Sequence, residues 1–341
     1  MTMTRSALRG LSLAAVLGAV VLVTAPRVAG QQPVGLVPLE APTYLNVGGL
    51  DVLPAQGQVY MLAGLNRNVT VQVGWQGVML VDSGGPGETE SLLEAVRALT
   101  PLPVRFIVNT HADANVVGGN GAIVEASGGI FGPRPRQLGG TQGNPNVGVQ
   151  VIAHESALLA MIQGTGVPAM SGDALPGSSF FGAKKEFFSN DEAVQVLHVP
   201  AAHTSGDVMV FFRESDVIST GDVYDTTRYP EIDLARGGSI QGVVDALNLV
   251  VDLAIPERNQ MGGTRVVPGN GRLSNESDVV EYRDMVTIIR DRVRVMAEAG
   301  MSFAEIQASN VSLEYDGLYG TDAEWTREMF LEAVYRGVSG Q

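Results

Sequence analysis

The most constraining stretch of this 341-residue chain is the passage from an apolar run, Val104–Val108 (VRFIV), into Asn109–Asn120, NTHADANVVGGN. A short β-rich run that breaks abruptly into polar residues is how a buried strand delivers side chains to the rim of a sheet. Strand-end loops are where catalytic groups gather. Upstream, Val59–Leu62, Asn68–Val73 and Val78–Val81 are short β-rich runs parted by glycine-containing turns, the pattern of an antiparallel meander. Asp82-Ser83-Gly84-Gly85 then leads into a helical pattern over Thr89–Leu99, stopped by Pro101 and Pro103. A hairpin sheet followed by strand, helix and strand predicts a layered α/β sandwich.

Downstream the same grammar continues. Gly128–Gly148 reads as a long surface loop, Val149–Ala153 as a strand, His154–Gln163 as a short helix, and Gly164–Gly182 as an irregular segment of the kind that borders a pocket. Ala193–Val199 alternates, then breaks at Pro200-Ala201-Ala202-His203-Thr204-Ser205-Gly206-Asp207 before strands at Val208–Phe212 and Val217–Ser219. The second of these ends in Thr220-Gly221-Asp222. A helix over Ser239–Ala254, a strand at Arg265–Val267 and its exit loop Pro268–Gly271 follow. An amphipathic helix over Asp278–Ala299, a capping box of Ser302 with Glu305, and a last helix over Asp322–Arg336 close the chain.

Four strand-end loops, Thr110–Asn120, Ala202–Asp207, Thr220–Asp222 and Pro268–Gly271, carry a resemblance to the metallo-β-lactamase superfamily, whose first loop is written T-H-x-H-x-D-H with a Gly-Gly-Asn tail. Thr110, His111, Gly118, Gly119 and Asn120 match it, whereas Asp113, Asn115 and Val116 stand where the family has His, Asp and His. The resemblance covers about 220 residues, Val59–Gly271, and implies a four-layer αββα sandwich, here with extra C-terminal helices.

Carried over residue by residue, the resemblance gives a first metal site of His111, Asp113 and His203, with Asp222 beside them. Two imidazoles with one or two carboxylates suit Zn²⁺ best and also accept Fe²⁺ or Mn²⁺. The second site would fall on Asn115, Val116, Asp222 and Asn270. Valine cannot ligate and neutral amides are weak ligands, so Asn115 and Asn270 mark a vestigial site and we expect no second metal. Asn115 cannot accept a proton, which leaves Asp222 and Asp113 as the catalytic candidates, each also wanted as a ligand. The resemblance therefore implies a single-metal hydrolase of a small ester, amide or lactone. The competing reading is an inactive descendant, holding no metal, that binds a small molecule or a protein in the old cleft.

The bland readings fall on other residues. His198, in an alternating strand, reads as a satisfied sheet residue, and His154 as a structural or pocket-lining group. Asp82 reads as a loop-holding carboxylate, and Asp207 with Thr204 as the pair that fixes the His203 loop. Phe180, Phe181, Phe187, Phe188 and Tyr224 read mainly as packing, with the cleft as their alternative.

Composition limits where such a protein works and what it meets. Arg5 and Arg9 precede an uncharged apolar run, Leu11–Val23, and Val28-Ala29-Gly30 offers small residues to a signal peptidase, so residues 1–30 read as an export signal. Its removal takes three arginines and no acid, moving the formal charge from -14 to -17. We expect a periplasmic or secreted protein with an extended lead-in over 31–54, a sandwich domain over 55–275, and a helical extension over 276–341 packed on the core. With no cysteine there is neither a disulfide nor a thiol nucleophile. Strong acidity without a basic cluster argues against nucleic acid and, after signal removal, against a membrane surface. The expected partner is a small-molecule substrate or ligand, and the C-terminal helices serve either as a cover for the core or as a homodimer face. Neither a serine nucleophile elbow nor a Walker-type loop is present.

Overall fold

The computed structural model describes residues 45–128, 148–170, 172–260 and 262–340. The expected export signal, the first part of the lead-in and nearly all of the loop from Gly128 to Gly148 lie outside the described residues.

Among the described residues the first sheet has eight strands in sequential order. Strands β1 (Leu45–Val47), β2 (Leu50–Gln56), β3 (Val59–Ala63), β4 (Val69–Gly74) and β5 (Gly77–Val81) form the antiparallel meander. Helix α1 (Thr89–Leu99) crosses over to β6 (Val104–Val108), parallel to β5. Two short helices, α2 (Ala114–Val117) and α3 (Asn120–Gly128), precede β7 (Gln150–His154), and α4 (Glu155–Gln163) precedes β8 (Ser178–Phe180), both strands again parallel to their neighbours.

The second sheet has six strands among the described residues. Strands β9 (Lys184–Ser189), β10 (Glu192–His198), β11 (Val208–Phe212) and β12 (Val217–Ser219) run antiparallel. Helix α5 (Ile240–Leu253) then carries the chain to β13 (Arg265–Val267), parallel to β12, and β14 (Ser274–Asn275) closes the edge. Helices α6 (Glu276–Glu298), α7 (Phe303–Ala308), α8 (Leu313–Tyr319) and α9 (Arg327–Ser339) follow. The Ser302 and Glu305 capping box starts α7 as its spacing predicts.

Side-chain alternation along the strands builds the layers. Met61, Met79, Val81, Val108 and Ile152 from one sheet meet Val196, Val210 and Phe212 from the other. On the outer face of the first sheet, Leu92, Val96 and Ile123 of α1 and α3 cover Leu62, Leu80 and Ile107. On the outer face of the second, Leu247, Val286, Ile289 and Phe330 of α5, α6 and α9 cover Met209, Ile218 and Val266. Each of these buried aliphatic or aromatic side chains contributes about 1.5–3 kcal/mol of transfer free energy. The result is the four-layer αββα sandwich, with the extra helices packed on one face.

The sheet begins earlier than the lead-in reading allowed. Leu50 and Val52 point into the core, while Pro54 falls where the register of β2 on β3 shifts, the irregular position at which a strand tolerates proline. The segment read as irregular, Gly164–Gly182, yields the edge strand β8.

Candidate metal centre

The loops after β6, β10 and β12 converge at one rim. Asp82, at the end of β5 with φ +71°, holds the first of them, accepting from the Thr110 backbone N–H at 2.7 Å and from the Thr110 hydroxyl at 2.8 Å. Since that hydroxyl spends its proton on Asp82, it accepts from Nδ1–H of His111, 3.0 Å away. His111 Nε2 is thereby left free to face inward, toward Asp113 and Asp222. The Gly118-Gly119 pair is required by close approach: a Cβ on Gly119 would collide with the Ser83 carbonyl.

The second loop is fixed by Asp207, whose carboxylate accepts from the Thr204 backbone at 2.7 Å and hydroxyl at 2.6 Å. His203 Nδ1 donates to the Glu231 carbonyl at 3.0 Å, which turns its Nε2 inward as well. The two rings stand edge to face with centroids 4.9 Å apart. Asp222 lies in the third loop, and Gly269, in the loop after β13, leaves room for it: a Cβ there would strike the carboxylate.

Four groups meet there. His203 Nε2 lies 3.1 Å from Asp113 Oδ2, and His111 Nε2 lies 3.5 Å from the same atom and 3.8 Å from Asp222 Oδ2. Ligand atoms of His111, His203 and Asp222 all fall within 4.8 Å of one another. His111 Nε2 is fully buried and has no hydrogen-bond partner. Around a tetrahedral ion with bonds of about 2.0–2.1 Å, ligand atoms stand about 3.3 Å apart. The spacing, the orphaned nitrogen and the donor types fit a divalent metal held by His111, His203 and Asp222, with Asp113 against both imidazoles.

Three arginines complete the site, and no motif or periodicity marks them in the sequence. Arg236 pairs with Asp113 Oδ1 and, at 2.6 Å, with Asp233. Arg67 Nε lies 3.0 and 2.9 Å from the two oxygens of Asp222. Arg228 pairs with Asp225 at 3.1 Å and Glu231 at 2.9 Å, and reaches within 3.9 Å of Asp222. Each partner lies far off in sequence or in a loop without period, so only the fold shows them.

These neighbours set the charges. Burial works against ionisation of both aspartates, yet His111, His203 and Arg236 hold Asp113 well below the usual carboxylate range, and Arg67 with the histidines lowers Asp222. Burial likewise opposes a charge on His203, but the Asp113 hydrogen bond and the nearby carboxylates of Asp207 and Asp222 push it up to about 10. His111 is raised in the same contest.

The positions expected to mark a vestigial second site are placed differently from the first. Asn115 Oδ1 is buried without a partner, Val116 is buried, and the Asn270 amide donates to Thr227 at 3.2 Å. Farther out, His198 donates to the Ser205 carbonyl at 3.0 Å, and His154 caps α4 by accepting from Ser156. Phe180 and Tyr224 are buried and Phe187 packs on Phe106, whereas Phe181 and Phe188 are exposed.

The family profile described as the metallo-beta-lactamase superfamily matches residues 62–256. The chain belongs to the metallo-beta-lactamase superfamily. Among solved structures, it is similar to a stereoselective inverting sec-alkylsulfatase from Pseudomonas sp., at 14% identity and a TM-score of 0.60 over 82% of this chain and 48% of that one. It is also similar to a metallo-beta-lactamase from Pontibacter korlensis, at 18% identity and a TM-score of 0.53 over 70% of this chain and 99% of that one. The chain thus spans about half the length of the alkylsulfatase, and at these identities the likeness to either superfamily member is one of fold. No curated protein sequence matches this chain.

Proposed function

We propose that this protein is an exported single-metal hydrolase acting on a small ester or lactone. The observation that carries the reading is the orphaned Nε2 of His111, buried and aimed with the His203 Nε2 at two carboxylates. His111, His203 and Asp222, with Asp113 in contact, would hold a divalent ion, whose chemistry there would be Lewis-acid polarisation of a carbonyl oxygen and acidification of water. The protein's own groups do the rest. Asp113 and Asp222 remain anionic at neutral pH, so they can accept hydrogen bonds from water and orient it but cannot donate a proton to a leaving group. An amide needs that proton and is served worst; lactones and esters with acidic alcohols need it least. Zinc is the metal the donor set favours, with iron and manganese acceptable to it.

A second reading, a non-catalytic binding module in the same cleft, is favoured by the engagement of both Asp222 oxygens by Arg67. One experiment separates the two. Protein purified without added metal should carry near-stoichiometric zinc, iron or manganese by elemental analysis, lose it in His111→Ala, and hydrolyse a panel of lactones and aryl esters only when loaded. A folded, metal-free wild type that takes up none of these ions removes the hydrolase reading.

Export is part of the proposal and rests on the N-terminal sequence. Among the described residues no helix is long and apolar enough to cross a membrane. Fractionation of cells producing the full chain would test export directly.

A further inference from the structure

Asp222 has two faces. One looks toward His111, with Oδ2 at 3.8 Å from Nε2. The other is covered by Arg67, whose Nε bonds both oxygens, and by Arg228, 3.9 Å from Oδ2. Arg228 is itself anchored to Asp225 and Glu231, and Arg67 Nη2 comes within 3.8 Å of Glu231. Two permanent cations are therefore fixed against a carboxylate of the candidate metal centre.

The path of the chain places Arg67 where this matters. Its predecessor Asn66 and the Cα of Asn115 both crowd Gly85, lying 3.2 and 3.5 Å from the point a Cβ there would take. Its successor Asn68 donates from its backbone to the Gly269 carbonyl at 2.8 Å, and from its amide to Pro268 at 3.0 Å and Gly271 at 3.1 Å. Arg67 thus threads between the loop of Asn115 and Val116 and the loop of Asn270. Those are the positions that lost their ligand chemistry.

We propose that Arg67, backed by Arg228, takes the place of a second metal ion: its guanidinium neutralises the outer face of Asp222 and bars another divalent cation. The inference rests on the single-metal reading and deepens it. A guanidinium cannot activate water, but it is a fixed donor to anionic oxygen. The site then differs from a two-ion centre in kind, and restoring ligands alone should not rebuild one. A purely structural Arg67–Asp222 pair predicts otherwise.

The test is zinc stoichiometry, measured by elemental analysis after equilibration with excess Zn²⁺ and desalting, with circular dichroism as the check on folding. Wild type should retain one zinc. The triple variant Asn115→Asp, Val116→His, Asn270→His should also retain one, and adding Arg67→Ala should raise it to two. Two zincs in the triple variant with Arg67 intact, or one in the quadruple variant, overturns the proposal. Should the multiple variants fail to fold, the single variants decide: Arg67→Ala should bind the first zinc at least ten-fold more tightly and Arg67→Lys as the wild type does. Unchanged or weaker binding in Arg67→Ala overturns it. A wild type without zinc ends the single-metal reading and this inference together, whereas one zinc in the wild type and two in the triple variant ends this inference alone.

Discussion

Trp325 donates its indole N–H to the carbonyl oxygen of Pro230 at 3.1 Å, tying the C-terminal helices to the loop that surrounds His203. Two further bonds do the same: Tyr282 donates to the Arg228 carbonyl at 2.9 Å, and the Tyr229 backbone donates to the Tyr319 carbonyl at 3.1 Å. The Tyr229 ring stacks on Phe330 of α9 at 4.5 Å. Just past these anchors the loop presents the Glu231 carbonyl to His203 and Arg236 to Asp113. The helical extension is therefore part of the support of the centre.

Trp325→Phe keeps the packing and removes the donor. Leaving the buried Pro230 carbonyl unpaired costs about 1–3 kcal/mol. Loosening of the group that orients a metal-binding histidine typically lowers metal affinity by about 10–100-fold. Thermal unfolding of the metal-free protein and a zinc titration check the two effects separately; an unaltered zinc affinity would show that the helices merely cover the core.

Arg236 and Arg67 should behave oppositely, because they take different oxygens. Arg236 engages Oδ1 of Asp113 and leaves Oδ2 to the imidazoles, so it orients the carboxylate that positions both histidines. Arg67 engages both oxygens of Asp222, including the one that faces His111, so it competes. Arg236→Ala should weaken zinc binding roughly ten-fold or more, as loss of an orienting partner does. Isothermal titration of both single variants reads the sign, and a shift in the same direction for both would refute the distinction.

The architecture was legible where hydrophobic patterning is strong. The runs that became β3 to β7 and β10 to β13 are continuous or alternating apolar segments, and the two loop histidines follow such runs. Strands β1 and β2 escaped because Gly48 and Gly49 make their turn and Pro54 interrupts their period. The convergence of His111 and His203 was legible because both stand at motif positions. The arginine half was not: Arg67 and Asp222 are 155 residues apart and Arg236 and Asp113 are 123 apart, and a lone arginine in a turn carries no periodic signal.

Metal uptake should release protons. With His203 pushed up to about 10 by Asp113 and the neighbouring carboxylates against the effect of burial, the metal-free protein carries a proton there at pH 7 that an incoming ion must displace. Zinc affinity should rise about ten-fold per pH unit for each proton released between roughly pH 6 and 8. For the metal-free fold the sign is the reverse. A histidine raised from 6.5 to about 10 contributes stability that is complete below pH 6.5 and is lost as pH climbs toward 10. Calorimetric titration in buffers of differing protonation heat counts the protons; a count of zero contradicts the charge state assigned to His203.

His154 should make the fold acid-sensitive by another route. His154 and His198 stack with centroids 3.6 Å apart and planes 7° from parallel, and His198 is already committed to the Ser205 carbonyl. Burial, reinforced by His198, pushes His154 down to about 4. The unfolded chain takes up this proton near 6.5 and the folded one only near 4, so stability falls as pH drops through that window and levels off below it. His154→Asn keeps an acceptor for the Ser156 N–H that caps α4 and cannot titrate. Denaturant midpoints measured from pH 7 to 4 should fall more steeply for the wild type than for His154→Asn, and equal slopes would assign the acid sensitivity to other groups.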